Sequence, residues 1–278
     1  MSTDAKDDAK EERAAVESGG VRLGVAAWGI ALALGCRAID IFLESQSLAG
    51  AVGQAVLVEW GAARVGVGWS DPKARTTTGT IAKRALIGAA IGLSAAALLF
   101  ATLAATRGVR FDRVENVELS ILGIGLVTAS LHAWRDELLL HGIALRALGT
   151  SVMPLARIVA CGVTSAGAAL GRSDATPRSV FVAALLGILF GTLWVNDRGA
   201  WKPWAAHASF RWAIGTLLSG GVVHSRLADD AWAGGTDGWL GGTAAAVALT
   251  PLAMTALLWS ARSARSARRI SPRSAKEG

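Results

Sequence analysis

The sequence predicts an all-α, polytopic membrane protein of about eight transmembrane helices, and three observations predict it. The 278 residues are 52% hydrophobic, with a mean hydropathy of +0.43, more apolar than a soluble domain that must cover itself with polar side chains. The apolar residues come in blocks of about 20, long enough to cross roughly 30 Å of hydrocarbon as helix. Within the blocks Ala, Gly, Leu and Val run on without the alternation that a membrane β-barrel requires.

In chain order the spans are expected near 24–43, 48–68, 85–105, 119–145, 151–170, 179–196, 203–223 and 239–260. One transmembrane domain over 21–261 is expected, with no soluble lobe. Residues 1–20 carry mixed charges, from Asp4 and Lys6 to Glu17, and almost nothing apolar, the pattern of a disordered tail. No basic region and small-residue cleavage site precede the first apolar block, so a signal peptide is not expected. Residues 262–278 form a basic tail with Arg262, Arg265, Arg268, Arg269, Arg273 and Lys276.

The formal charge of +7 could suggest nucleic acid, but its distribution points to membrane lipid. On the expected topology 17 of the 28 basic residues fall on the side of the termini and 6 on the other. The positive-inside rule then puts both termini in the cytoplasm. Abundant Ala, Gly and Arg with no Tyr suggest a bacterial chain, hence the inner (cell) membrane. Cys36 and Cys161 sit inside apolar spans, where packing is the expected role. Trp69, Trp201, Trp204, Trp239 and Trp259 lie at span ends, as interfacial belts do. Gly88 with Gly92, and Gly187 with Gly191, have the spacing of close helix packing.

Ionisable residues inside spans cost about 2.5 to 3.5 kcal/mol each at mid-bilayer, so each needs a partner or a hydrated cavity. The densest set is His132, Arg135, Asp136, Glu137 and His141 in the stretch LHAWRDELLLHGIALRAL. At 100° per residue, His132 and Asp136 share one stripe, Glu137 and His141 another, and the stripes differ by about 140°. The two carboxylates therefore point to different neighbours. His207 follows a polar turn (Asn196, Asp197, Arg198, Gly199) and Pro203, about one turn into the seventh span. The charge distribution brings it to the same face as Asp136 and Glu137. Arg37 with Asp40, and Glu59 with Arg64, are expected to form structural pairs.

At these residues the chain resembles the CAAX prenyl endopeptidase type II family, also called the CPBP or Abi family of intramembrane proteases, over roughly 119–215. That family has an eight-helix membrane fold and three motifs: E-E-x-x-x-R, F-x-x-x-H, and H-x-x-x-N or H-x-x-x-D. The third region is matched by Gly187, Gly191, Trp201, Pro203, His207 and Ala208. The first is matched within DELLLHG by Asp136 and Glu137, with His141 where the family has Arg. The second motif falls at Ala166 and Leu170, and Arg211 stands at the Asn or Asp position of the third.

The resemblance implies an endopeptidase acting on a membrane-associated protein or peptide near the cytoplasmic face. Asp136 or Glu137 would activate a water, and His207 with Arg211 would stabilise the oxyanion. His132, four residues before Asp136, could replace the missing imidazole of the second motif. Two alternatives stand beside this reading: a catalytically inactive relative that binds or protects a membrane partner, and a proton-coupled transporter built on the same ionisable residues. No cofactor is expected, because a zinc site from His132, His141 and His207 would need the non-standard spacing H-x-x-x-D-E-x-x-x-H. No nucleic-acid partner is expected either.

Overall fold

A computed structural model describes residues 22–43, 47–70, 76–228 and 230–270, so the expected tail 1–20 and the end of the basic tail lie outside the described residues. The elements are α1 (Leu23–Leu43), α2 (Leu48–Arg64), α3 (Thr78–Ala105), β1 (Val109–Arg113) and the long α4, followed by α5 (Pro154–Leu170) and α6 (Pro177–Asp197). Helix α4 is α-helical over Leu119–Asp136 and Ile143–Leu148, with a π turn at Glu137–Gly142 between. Helix α7 runs Trp201–Trp212 and ends in a second π turn, Ala213–Leu217. Strand β2 (Val223–Leu227) and α8 (Thr243–Ile270) complete the chain.

This is a helical membrane protein, with large apolar side chains such as Ile30, Leu34 and Phe42 on α1 and Ile121, Ile124 and Val127 on α4 exposed on its outside, as expected where lipid is the solvent. Four helices are long and apolar enough to cross a membrane by length and composition: Leu23–Leu43, Thr78–Ala105, Pro177–Asp197 and Thr243–Ser263. Helices α2 and α5 have 17 residues each, and α4 and α7 carry the charged groups.

Several boundaries differ from the sequence reading, among them the start of α3 at Thr78 rather than at 85. The seventh span ends at Leu217 rather than at 223, because Val223–Leu227 pairs antiparallel with Val109–Arg113. VRFDR alternates apolar and polar residues over its first four positions, and VHSRL alternates between half-buried and exposed side chains, which suits a two-stranded ribbon better than a helix. The last helix continues to Ile270 through residues assigned to the basic tail.

The loops counted on the side of the termini meet at one end of the bundle. The Ala200 amide donates to the Trp69 carbonyl (3.0 Å), Arg146 Nε to the Val65 carbonyl (3.0 Å), and the Arg22 amide to the Ala147 carbonyl (2.6 Å). The β ribbon closes the end where α3 and α7 finish.

Small residues set the two contacts that carry the site. A Cβ on Gly88 or Gly92 of α3 would strike the carbonyls of Lys202 and Ala206, so the glycines let α3 lie directly against α7. Likewise a Cβ on Gly187 would lie 2.5 Å from both the Cys161 carbonyl and Ser165 Oγ, and one on Gly191 would lie 2.6 Å from Cys161 Cβ. These pairs have the expected spacing.

Candidate active site

The site forms where the π turn of α4 faces α7 and α5. A π turn widens the backbone by one residue and occurs often at functional sites. Here the Thr164 hydroxyl of α5 donates to the Leu140 carbonyl within that turn (2.6 Å). Helix α7 is fixed against α4 by two indoles, Trp204 Nε1 donating to the Ser130 carbonyl (3.0 Å) and Trp212 Nε1 to the Leu122 carbonyl (3.1 Å).

Asp136 and Glu137 are both buried, and they serve different partners. Arg135 grips Asp136 Oδ1 through Nε (2.7 Å) and Nη2 (2.6 Å). Arg211 Nη1 lies 3.4 Å from Asp136 Oδ2. A carboxylate held by two guanidiniums is a poor proton acceptor, so the arrangement disfavours Asp136 as the base.

Glu137 instead joins two imidazoles. His141 Nδ1 lies 2.8 Å from Oε2, the i, i+4 contact expected along one helical stripe, and His207 Nδ1 lies 3.1 Å from Oε1 across the helix interface. An ionised carboxylate only accepts, so both rings present Nδ1–H to it and each keeps Nε2 as its acceptor. The Ser165 hydroxyl donates to His141 Nε2 (3.2 Å). His207 Nε2 lies 3.9 Å from Asp136 Oδ2, beyond hydrogen-bond length, so its lone pair is free. Phe190 stacks on the His207 ring at 4.5 Å between centroids and fixes its plane.

Exposure separates the two imidazoles: the His141 side chain is 1% exposed and that of His207 12%. Ser165, His141 and Glu137 do follow one another in the order of nucleophile, base and orienting acid. However, His141 is enclosed and Ser165 packs on Gly187, which leaves no room for a leaving group at His141 Nε2. The open base is His207.

His132 is brought to the cluster but does not bond Asp136 as expected. Both its ring nitrogens are buried without a hydrogen-bond partner among the described residues, each costing about 1–3 kcal/mol unless something else satisfies it. It stands one helical turn before Asp136 on α4. The second-motif positions supply no imidazole: Ala166 is half-buried, and Leu170 is 65% exposed at the end of α5. Ser165, next to Ala166, makes the α5 contact instead. Its hydroxyl one position off the aligned residue was the available signal.

The two expected structural pairs are replaced by others. Asp40 accepts from Gln54 Nε2, and Gln54 Oε1 accepts from Arg135 Nη1, so Gln54 links α1 to the site. Glu59 accepts from the indoles of Trp69 (3.0 Å) and Trp134 (2.8 Å), while the Arg64 guanidinium lies 4.8 Å over the Trp60 ring. A polar Gln and indole donors satisfy these half-buried carboxylates without a second desolvated charge. Of the histidines considered for zinc, His141 and His207 share Glu137 and His132 bonds nothing among the described residues; among those residues no group of three or more His, Cys, Asp or Glu side chains has the arrangement to hold a metal ion.

Residues 117–213 match the family model described as Rce1-like, type II CAAX prenyl endopeptidase. No curated protein and no solved structure matches the chain. The matched segment runs from the start of α4 to the π turn of α7 and holds Asp136, Glu137, His141, Ser165, His207 and Arg211. Over that segment, with its buried carboxylate pair and the histidine of WKPWAAHA, the chain is similar to the type II CAAX prenyl endopeptidases, the family to which its motifs point.

Proposed function

We propose that the protein is a membrane-embedded endopeptidase that cleaves a membrane-associated protein or peptide by attack of water. The observation that supports this most is the Glu137–His207 contact of 3.1 Å, which leaves His207 Nε2 unbonded and on the more open side of the cluster. Glu137 orients the ring and stabilises the imidazolium that forms when Nε2 takes a proton from water. The resulting hydroxide attacks the scissile carbonyl, and the imidazolium returns the proton to the leaving amine. His141 and Ser165 hold Glu137 from the far side. Arg211 supplies positive charge at the same mouth.

The reading places the protein in the cell (inner) membrane with both termini in the cytoplasm and eight crossings, its partners being lipid and the substrate and not nucleic acid. Comparison of new protein N-termini in membranes from cells with the wild-type gene, its deletion, Glu137→Gln and His207→Ala tests it. Termini lost in the deletion and in both variants support cleavage. Termini that persist in both variants overturn it in favour of the non-catalytic relative. That rival draws its support from the absence of an imidazole at Ala166 and Leu170 and from the closure of Asp136 by two guanidiniums.

A further inference from the structure

Gln54 stands on the buried stripe of α2, among Ala51, Ala55, Val58 and Ala62, and is itself fully buried. A polar side chain in such a stripe must find its bonds on the neighbouring helices. On one side Nε2 donates to the Asp40 carboxylate and to the Cys36 carbonyl of α1 (3.3 Å), and on the other Oε1 accepts from Arg135 Nη1 of α4. An amide suits this place because it donates to a carboxylate and accepts from a guanidinium at the same time. A glutamate there would repel Asp40, a lysine would repel Arg135, and an apolar residue would bond neither.

Arg135 is thereby held at both ends. Nε and Nη2 grip Asp136 Oδ1 at 2.7 and 2.6 Å, and Nη1 is anchored on Gln54. The place of this guanidinium sets where the other carboxylate oxygen lies. Asp136 Oδ2 is 3.9 Å from His207 Nε2, roughly 1 Å too far for a hydrogen bond. Among the described residues Asp136 and Glu137 are the carboxylates that face the His207 ring, with Phe190 of α6 stacked on it.

Closing the gap to Asp136 would remove the base. An ionised carboxylate only accepts, so Nε2 would have to carry a proton. With Nδ1–H already on Glu137, the ring would become an imidazolium between two carboxylates. From this chain of contacts we infer that Gln54 is a positioning residue, which acts through Arg135 and Asp136 to keep Nε2 of His207 unbonded and able to take a proton. Gln54 lies outside residues 117–213, so the site depends on a helix that the matched family segment does not include.

The effect on turnover rests on the endopeptidase reading, but the state of the ring is measurable without it. The chain has four histidines, which would be labelled with nitrogen-15 in full-length protein in detergent, the His207 signals being assigned by their loss in His207→Ala. At neutral pH, Nε2 of His207 should be bare in the wild type and protonated in Gln54→Met, with the milder Gln54→Asn in its place should Gln54→Met not fold. Gln54→Glu combined with Asp40→Asn exchanges donor and acceptor, keeps an oxygen for Arg135, and should return the wild-type signal. A protonated Nε2 in the wild type, or a bare one in the folded single variant, overturns the positioning role. A protonated Nε2 that the combined change does not reverse also overturns it, since Gln54 is then a packing residue only.

Turnover is scored on the same preparations. In Gln54→Met kcat should fall about tenfold with KM within about twofold of wild type, and the combined change should recover it. The switch at Nε2 in a protein that does not cleave retires the endopeptidase and keeps the positioning role, and cleavage without the switch does the reverse.

Discussion

Glu137 of α4 and His207 of α7 meet with Oε1 and Nδ1 3.1 Å apart, and this contact joins the two motif regions into one site. Glu137→Gln presents the imidazoles with an amide that donates as well as accepts, and it removes the charge that stabilises an imidazolium. Loss of about 10²–10⁴ in turnover is expected, measured against purified substrate once the N-terminal comparison has supplied one. Activity within a few-fold of wild type would show that Glu137 does not support the base.

Asp136 and Arg211 should behave unequally although they touch. Asp136→Asn leaves two guanidiniums without their carboxylate, at a cost of about 3–5 kcal/mol. Arg211→Gln still leaves Asp136 paired with Arg135. Thermal unfolding in detergent should therefore show a large fall in Tm for Asp136→Asn and a small one for Arg211→Gln. The opposite order would contradict the charge arrangement.

Ser165 distinguishes a positioning role from a nucleophilic one. Ser165→Ala removes the donor to His141 Nε2 and should reduce turnover by about tenfold or less, the size of one buried hydrogen bond. His207→Ala should cost much more. Complete loss in Ser165→Ala, together with labelling of Ser165 by a fluorophosphonate, would make the serine the nucleophile instead.

The glycines of α6 should be intolerant. Gly191→Ala puts a methyl 2.6 Å from Cys161 Cβ, and Gly187→Ala puts one 2.5 Å from Ser165 Oγ. Each is expected to destabilise by about 1–3 kcal/mol through overpacking. Gly187→Ala should in addition lower turnover, because it pushes Ser165 away from His141. Denaturation midpoints and turnover measured on the same preparations check both effects.

Reporter fusions after Arg84 and after Ser271 should both report cytoplasm if the excess of 17 basic residues over 6 sets the orientation. An external signal from either changes the number or the direction of the crossings.

The sequence by itself determined the helical membrane class, the approximate place of each helix, and which residues had to face inward. Long apolar runs and the cost of charge in hydrocarbon act locally, and they require the charged groups of a stretch such as DELLLHG to face the interior of the bundle. Helical period also determined that Asp136 and Glu137 look to different neighbours and that Glu137 meets His141. Tertiary packing decided which carboxylate supports a base. Asp136 faces Arg135 and Arg211, Glu137 faces His207, and the difference depends on how the π turn of α4 rotates against α7, a few ångströms that residue spacing does not encode. Packing also chose Ser165, Gln54 and the Trp69 and Trp134 indoles as partners over the ion pairs that sequence proximity suggested, and it ended the seventh helix at Leu217 in a turn that leads into β2. A side chain's partner across a helix interface depends on where small residues such as Gly88 and Gly187 let two backbones touch, and that distance exists only once the bundle is assembled.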